Sequence, residues 1–197
     1  MALPHTLLLP HAMLPLRIFE ERYRQMLVHC LQEHRMFCVA LVKKGVSEAS
    51  AVEDFHHVAG VGLIRAARQQ ADGTYLLVLQ GLARVKLVSF LQRAPFPIAQ
   101  IRELPSQIPN VIEAEALGAK VVELCKRLQE KDANIPEKIL RDITHLNDPA
   151  ILADVTTNTF IVDPFWRQNI LEQAIVSDRM RLLINYLQRE ITRRKAA

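Results

Sequence analysis

Cysteine is scarce in this sequence. Cys30, Cys38 and Cys125 are the only three in 197 residues. Their odd number and irregular spacing fit no disulfide framework, so reduced thiols in a cytoplasmic protein are expected. Glycine is also sparse, at six residues, and none is followed by lysine. A phosphate-cradling loop needs that lysine, and Gly60-Val61-Gly62 lacks the third glycine of a dinucleotide fingerprint, so neither motif is present. No G-x-S-x-G elbow exists for a nucleophilic serine. The longest wholly apolar run, Met36 to Val42, is far shorter than the roughly 20 residues of a membrane helix. The opening MALPHTLLLP has no basic stretch and contains Pro4 and Pro10, which argues against a signal peptide. Charge is not concentrated either. The net +4 and pI of about 9.1 hint only weakly at acidic partners. The one basic cluster is Arg189, Arg193, Arg194 and Lys195, at a helix end where the macrodipole favours cations. Nucleic acid, which is usually met by a basic patch, is therefore disfavoured as a partner.

What the sequence does contain is half apolar residues, enough for a packed core. From Thr6 to Ile18 an apolar stretch is punctuated by Pro10 and Pro15. Proline cannot donate to a ladder, so edge or irregular strands are expected there. The period then changes. Tyr23, Met26, Leu27, Cys30 and Leu31 share one helical face, predicting a helix from about Glu20 to Glu33.

Residues 36–103 read as strands: Met36 to Val42, Val58 to Ala66, Tyr75 to Gln80, Ala83 to Leu91 and Pro97 to Leu104. Gly60 and Gly62 inside a strand predict a bulge, a bend or close backbone approach. Ala71-Asp72-Gly73 predicts a hairpin turn, and Gly81 is taken to mark another. Val85 and Leu87 are expected inside, with Arg84, Lys86 and Ser89 outside. Short strands at this spacing argue for a barrel or sandwich.

After the linker Leu104 to Asn110 only helices are expected. Leu117, Val121, Leu124 and Leu128 stripe one helix over about 111–130. Pro136 opens another at its first turn. Asp148-Pro149 and Asp163-Pro164 each pair an N-cap aspartate with an N1 proline. Ser177 is expected to cap the last helix, whose buried face is Met180, Leu183, Ile184, Leu187 and Ile191. Short connections predict an antiparallel bundle. The fold class is thus α+β, divided into residues 1–108 and 109–197.

Candidate chemistry is thin. His29, Cys30, His34 and Cys38 could supply metal ligands, and Cys30 and His34 share a helix face. Their spacing lacks the tight pairs of a zinc site, so a core thiol and a surface histidine are the favoured reading, with no metal or other cofactor expected. His56-His57, expected on a strand edge, would point to opposite faces. Ser47, Ser50 and Ser106 fall in expected loops, Ser89 in a strand and Ser177 at a cap, with no oriented base beside any of them. Glu20-Glu21 suits a helix N-terminus. Two features remain. Around Arg17, Phe19, Arg22 and Tyr23 a strand-to-helix corner is expected. There Arg17 or Arg22 pairs a carboxylate such as Glu20; a direct binding role is the alternative. Trp166 is either a bundle core residue or an exposed anchor, core being favoured.

The segment LLLPHAMLPLRIFEERYRQML, residues 7–27, resembles the opening of the Lon protease N-terminal domain family. The matching positions are Pro10, Leu14, Pro15, Leu16, Ile18, Phe19, Glu20, Arg22, Tyr23 and Met26. Val61-Gly62, Asp72-Gly73, Gln80-Gly81-Leu82-Ala83-Arg84, Leu152-Ala153-Asp154, Gln168, Leu171-Glu172 and Arg179 extend the likeness over nearly the whole chain. His11 departs from it, standing where the family often has a small residue.

The resemblance implies a PUA-like β-barrel with an inserted helix, followed by a helical bundle. It implies a substrate-recognition role like that of this region in Lon proteases. The ATPase and Ser-Lys peptidase modules that follow in those proteases have no counterpart before Ala197, so a stand-alone, non-enzymatic protein-binding module is expected. Its partners would be unfolded or misfolded polypeptides, held at a barrel edge or in the barrel–bundle cleft. A separate protease acting in trans is a further expected partner, and exposed strand edges would permit a homodimer. Arg17, Phe19, Arg22, Tyr23 and Trp166 are the candidate protein-binding residues. An RNA-binding PUA-like protein is the rival reading, and an enzyme acting on a small molecule from a deep polar pocket is a third.

Overall fold

The structure is a computed structural model and describes all residues except 47, 48, 50, 133 and 195–197. Ser47, Ser50 and Lys195, named above, lie outside the described residues. The chain forms two compact units, Met1–Pro105 and Ser106–Ala197.

The first unit is a mixed six-stranded sheet carrying one helix. Its strands are β1 (Ala2–Leu3), β2 (Met13–Ile18), β3 (Met36–Leu41), β4 (Val58–Gln69), β5 (Tyr75–Gln92) and β6 (Ile98–Glu103), with α1 (Glu21–Gln32) between β2 and β3. The order is β1-β3-β4-β5-β2, and β6 pairs with the far half of β5. Among the described strands β1 and β3 pair in parallel, and the other pairings are antiparallel.

Gly81 is not a turn. It lies inside β5, which runs unbroken for 18 residues. An extended strand of that length would reach about 60 Å, longer than a ~100-residue domain is wide, so it must bend. The β4–β5 register shifts between Val61 and Gly62, where Gly62 pairs with Gly81. Glycine is required nearby for a second reason. The buried Leu7-Leu8-Leu9 segment crosses the sheet without joining it. A Cβ at Gly60 would overlap the Leu8 carbonyl, and one at Gly81 the Leu9 carbonyl. The close-approach reading of Gly60 thus holds, and Gly81 shares it.

Arg84, expected outside, is buried. The bulge changes which face the residues after Gly81 present, so simple alternation counted from Tyr75 fails. His56 and His57 precede β4 instead of lying on it; the His56 amide donates to Leu41 O at 3.0 Å. His11 takes a left-handed conformation, φ 65°, and its amide donates to Gly81 O at 2.9 Å.

The second unit contains α2 (Val111–Gln129), α3 (Glu137–Thr144), α4 (Pro149–Phe160), α5 (Pro164–Leu171) and α6 (Val176–Arg193). Its core includes Val121, Leu124, Leu128, Met180, Leu183 and Leu187. Asp148 Oδ1 accepts from the amides of Ala150 (2.7 Å) and Ile151 (3.2 Å), and Asp163 Oδ1 from those of Phe165 (2.8 Å) and Trp166 (3.1 Å). Both are the aspartate–proline starts expected. Two other starts differ. Pro136 is itself the N-cap of α3, one position before its expected place. Ser177 is buried in the first turn of α6, and Ile175 is the N-cap. In place of a side-chain cap at Ile175, the Gln107 carbonyl accepts from the Val176 amide at 2.9 Å.

Candidate polypeptide-binding surface

β2, the first half of β5 and the second half of β4 form a three-stranded patch of the first unit. β2 ends the strand path and pairs with β5 on one side, which is why Pro15 is tolerated within it. The register aligns Pro15 with Val78 and Ala66, and Arg17 with Leu76 and Arg68. Side chains alternate across a sheet, so these six share one face. Leu77 and Leu79 turn inward and are buried, whereas Leu76 is 48% exposed and Met13 51%. The result is a shallow depression of about 410 Å³ lined by Pro15, Ala66, Leu76 and Val78, with Arg17 and Arg68 on either side of Leu76. Arg65 adds a further guanidinium and is hydrogen-bonded to Gln80.

The corner after β2 is held by charge. Arg17 Nη2 meets Asp72 Oδ2 at 3.0 Å in the hairpin turn, where Gly73 adopts φ 77°. Asp72 is held below the ordinary carboxylate range, first by hydrogen bonds from the Thr74 side chain and amide, then by Arg17. Arg24 bonds Glu21 and donates to the Gly73 carbonyl at 3.4 Å, tying α1 to the same turn. Arg22 Nε donates to Glu20 at 2.8 Å and its guanidinium lies 4.6 Å from the Tyr23 ring centre. The expected Arg22–Glu20 pairing is present, and Arg17 has a carboxylate partner too.

The five candidate residues are distributed as follows. Arg17 lies on the outer face. Phe19, between β2 and α1, is 64% exposed. Arg22 is exposed on the first turn of α1. Tyr23 is buried, its hydroxyl donating to Ala2 O at 3.0 Å, and burial raises its pKa; it fastens β1 to α1. Trp166 belongs to the second unit, where it is half-buried, edge-on to Tyr186 at 5.5 Å and beneath the Arg189 guanidinium. Four of the five candidates thus belong to the first unit and Trp166 to the second. Sequence reasoning missed Leu76, Val78, Ala66 and Arg68. The run Tyr75-Leu76-Leu77-Val78-Leu79 is continuously apolar, and that pattern reads as burial on both faces. Pro15 marks β2 as an edge strand, but which face of its neighbour stays open is set by packing over the sheet and not by any local pattern.

His29, Cys30, His34 and Cys38 do come together on the wall of one pocket. Among the described residues, no three His, Cys, Asp or Glu side chains form a group able to hold a metal ion.

Comparison with known proteins accounts for this architecture. The family model of the ATP-dependent protease La (LON) substrate-binding domain matches residues 1–189. The chain belongs to this family. It is 23% identical over 189 residues to the Lon protease of Dictyoglomus thermophilum, covering 96% of this chain and 24% of that protein. It is 28% identical to the Lon protease of Syntrophus aciditrophicus, covering 92% and 24%. The chain thus spans about a quarter of the curated relatives it matches. The fold resembles the N-terminal domain of Mycobacterium avium complex Lon protease, with TM-score 0.75, 18% identity and coverage of 95% and 96%. It also resembles the Lon N-terminal domain protein of Xanthomonas campestris, with TM-score 0.64, 18% identity and coverage of 94% and 96%. The α+β fold expected from sequence is the fold of these Lon N-terminal domains. No helix of the described residues is long and apolar enough to cross a membrane.

Proposed function

We propose that this protein is a non-enzymatic recognition module. It holds apolar segments of unfolded polypeptides on the outer face formed by β2, β4 and β5, and it presents them to a separate protease in trans. The observation that carries this reading is Leu76. A leucine on β5, a strand paired on both sides, is half exposed between Arg17 and Arg68. Covering the open surface of Leu76 and Met13 would contribute about 1–2 kcal/mol each. Such a small patch gives weak, exchangeable binding, which suits transient clients. The face is a better candidate than the β2 edge. Pro15 removes a donor from that edge and blunts strand addition. The arginines on either side of Leu76 suit clients that carry carboxylates beside their apolar residues.

The test is binding to a permanently unfolded protein, such as reduced and carboxymethylated α-lactalbumin. Leu76→Asp should weaken binding about tenfold, a change of ~1.4 kcal/mol, while the circular dichroism spectrum and Tm stay near wild type. The bound client should remain uncleaved with or without ATP. Unchanged binding by a folded Leu76→Asp variant would overturn the assignment. So would RNA retention that replaces polypeptide binding and falls steeply with salt.

A further inference from the structure

The first unit holds a second apolar space, separate from the outer face. It is a pocket of about 370 Å³ between α1, β3 and the β5–β6 hairpin. That volume is at the lower end of the roughly 300–1,000 Å³ typical of small-ligand sites. Its interior is walled by the buried Phe37, Phe55, Phe96 and Leu87. Met26 and Met36 also line it, and unbranched thioethers adapt readily to an inserted apolar group.

The rim has a different character. His29 and His34 line the pocket and are exposed. The His29 ring rests against Phe96 with centroids 5.6 Å apart. The other titratable groups among the described residues on the wall are Cys30 and Cys38, whose thiols burial raises so that they stay neutral and act as apolar volume, and the Met1 amine, which donates to the Cys38 carbonyl at 2.7 Å. Among the described residues no aspartate or glutamate lines the pocket. It therefore combines an aromatic, sulfur-rich interior, two imidazole donors at its mouth and, among the described residues, no carboxylate.

We propose that this pocket binds a small amphiphilic carboxylate of medium chain length. Its chain lies against Phe37, Phe55 and Phe96, and its carboxylate accepts hydrogen bonds from His29 and His34. The volume suits one such chain and excludes a two-chain lipid.

Titration calorimetry with butyrate, hexanoate, octanoate and decanoate tests this directly. Each added methylene that enters the pocket should tighten binding about fourfold until the space is filled. The double variant His29→Gln/His34→Gln should lose about tenfold in affinity for decanoate while binding decanol as wild type does. Ala99→Phe, which fills the pocket from β6, should abolish saturable binding. In case that variant fails to fold, the methionine methyl signals of the wild-type protein give an independent readout. Decanoate should shift Met26 and Met36 and leave Met13, on the outer face, unmoved. Four results would overturn the proposal: no saturable binding by wild type, affinity independent of chain length, a shift at Met13 alone, or full binding by folded Ala99→Phe. An unfolded polypeptide that moves Met26 and Met36 instead of Met13 would give the pocket to polypeptide capture and also overturn it.

Discussion

Arg179 on α6 and Asp154 on α4 form an ion pair at 3.0 Å with side chains 0% and 2% exposed. The second Arg179 nitrogen, Nη2, donates to Ser106 Oγ at 2.6 Å. Desolvating two charges is costly, and the cost is offset only when the pair is complete and its remaining donors are bonded. Removing one partner strands the other charge in the apolar core of the second unit. Asp154→Ala should therefore lower stability by about 3–5 kcal/mol, read by urea denaturation. The double variant Asp154→Leu/Arg179→Met should recover most of that loss. Equal stability of Asp154→Ala and wild type would show that the pair contributes nothing.

The glycines of the first unit differ in what they can tolerate. At Gly60 and Gly81 an added methyl group meets backbone carbonyls, which cannot rotate away. Gly60→Ala and Gly81→Ala should each cost at least about 3 kcal/mol, the upper end for overpacking. Gly45 has open space around it but φ +87°, so Gly45→Ala should cost only about 1 kcal/mol, from the left-handed backbone alone. Denaturation midpoints of the three variants check the ranking.

Cys125 lies in the core of the second unit, where burial pushes its thiol from the ordinary 9.0 up to about 12. Between those two values the unfolded chain has lost the proton and the folded chain retains it. Stability contributed by this site must then fall as pH rises from about 9 towards 12. Cys125→Ala should flatten that part of the stability–pH curve. The native thiol should also resist iodoacetamide until the protein is unfolded, which mass spectrometry of labelled peptides would show.

The two aspartate caps make a matched pair. Asp148→Ala and Asp163→Ala each leave two amides without their carboxylate acceptor, and each should cost about 1 kcal/mol. A loss of Tm in both variants, with the helical signal otherwise retained, is the expected result.

These caps were legible in the sequence because aspartate before proline specifies a helix start within three residues. The α1 stripe and the Asp72-Gly73 turn were legible for the same reason: each is written in neighbouring positions. Ser177 was misjudged because its helix start is capped by the Gln107 carbonyl, almost 70 residues earlier. Gly81 was misjudged because a glycine that relieves close approach looks the same in sequence as one that makes a turn. Of the candidate surface, Arg17 was identified. Leu76 was not, because its exposure depends on which face of the sheet is left without a packed layer.

The sequence alone determined the helix starts at Asp148-Pro149 and Asp163-Pro164, which faces the helices bury, the hairpin at Asp72-Gly73 and the membership in the Lon substrate-binding family. Those depend on local spacing and on patterns carried along the chain. Tertiary structure alone decided that Leu7-Leu8-Leu9 lies across Gly60 and Gly81, that Arg84 is inside and Leu76 outside, and that His29, Cys30, His34 and Cys38 share one pocket wall. The physical reason is that burial and proximity are set by register and by non-local packing, and a one-residue bulge reverses them without changing composition.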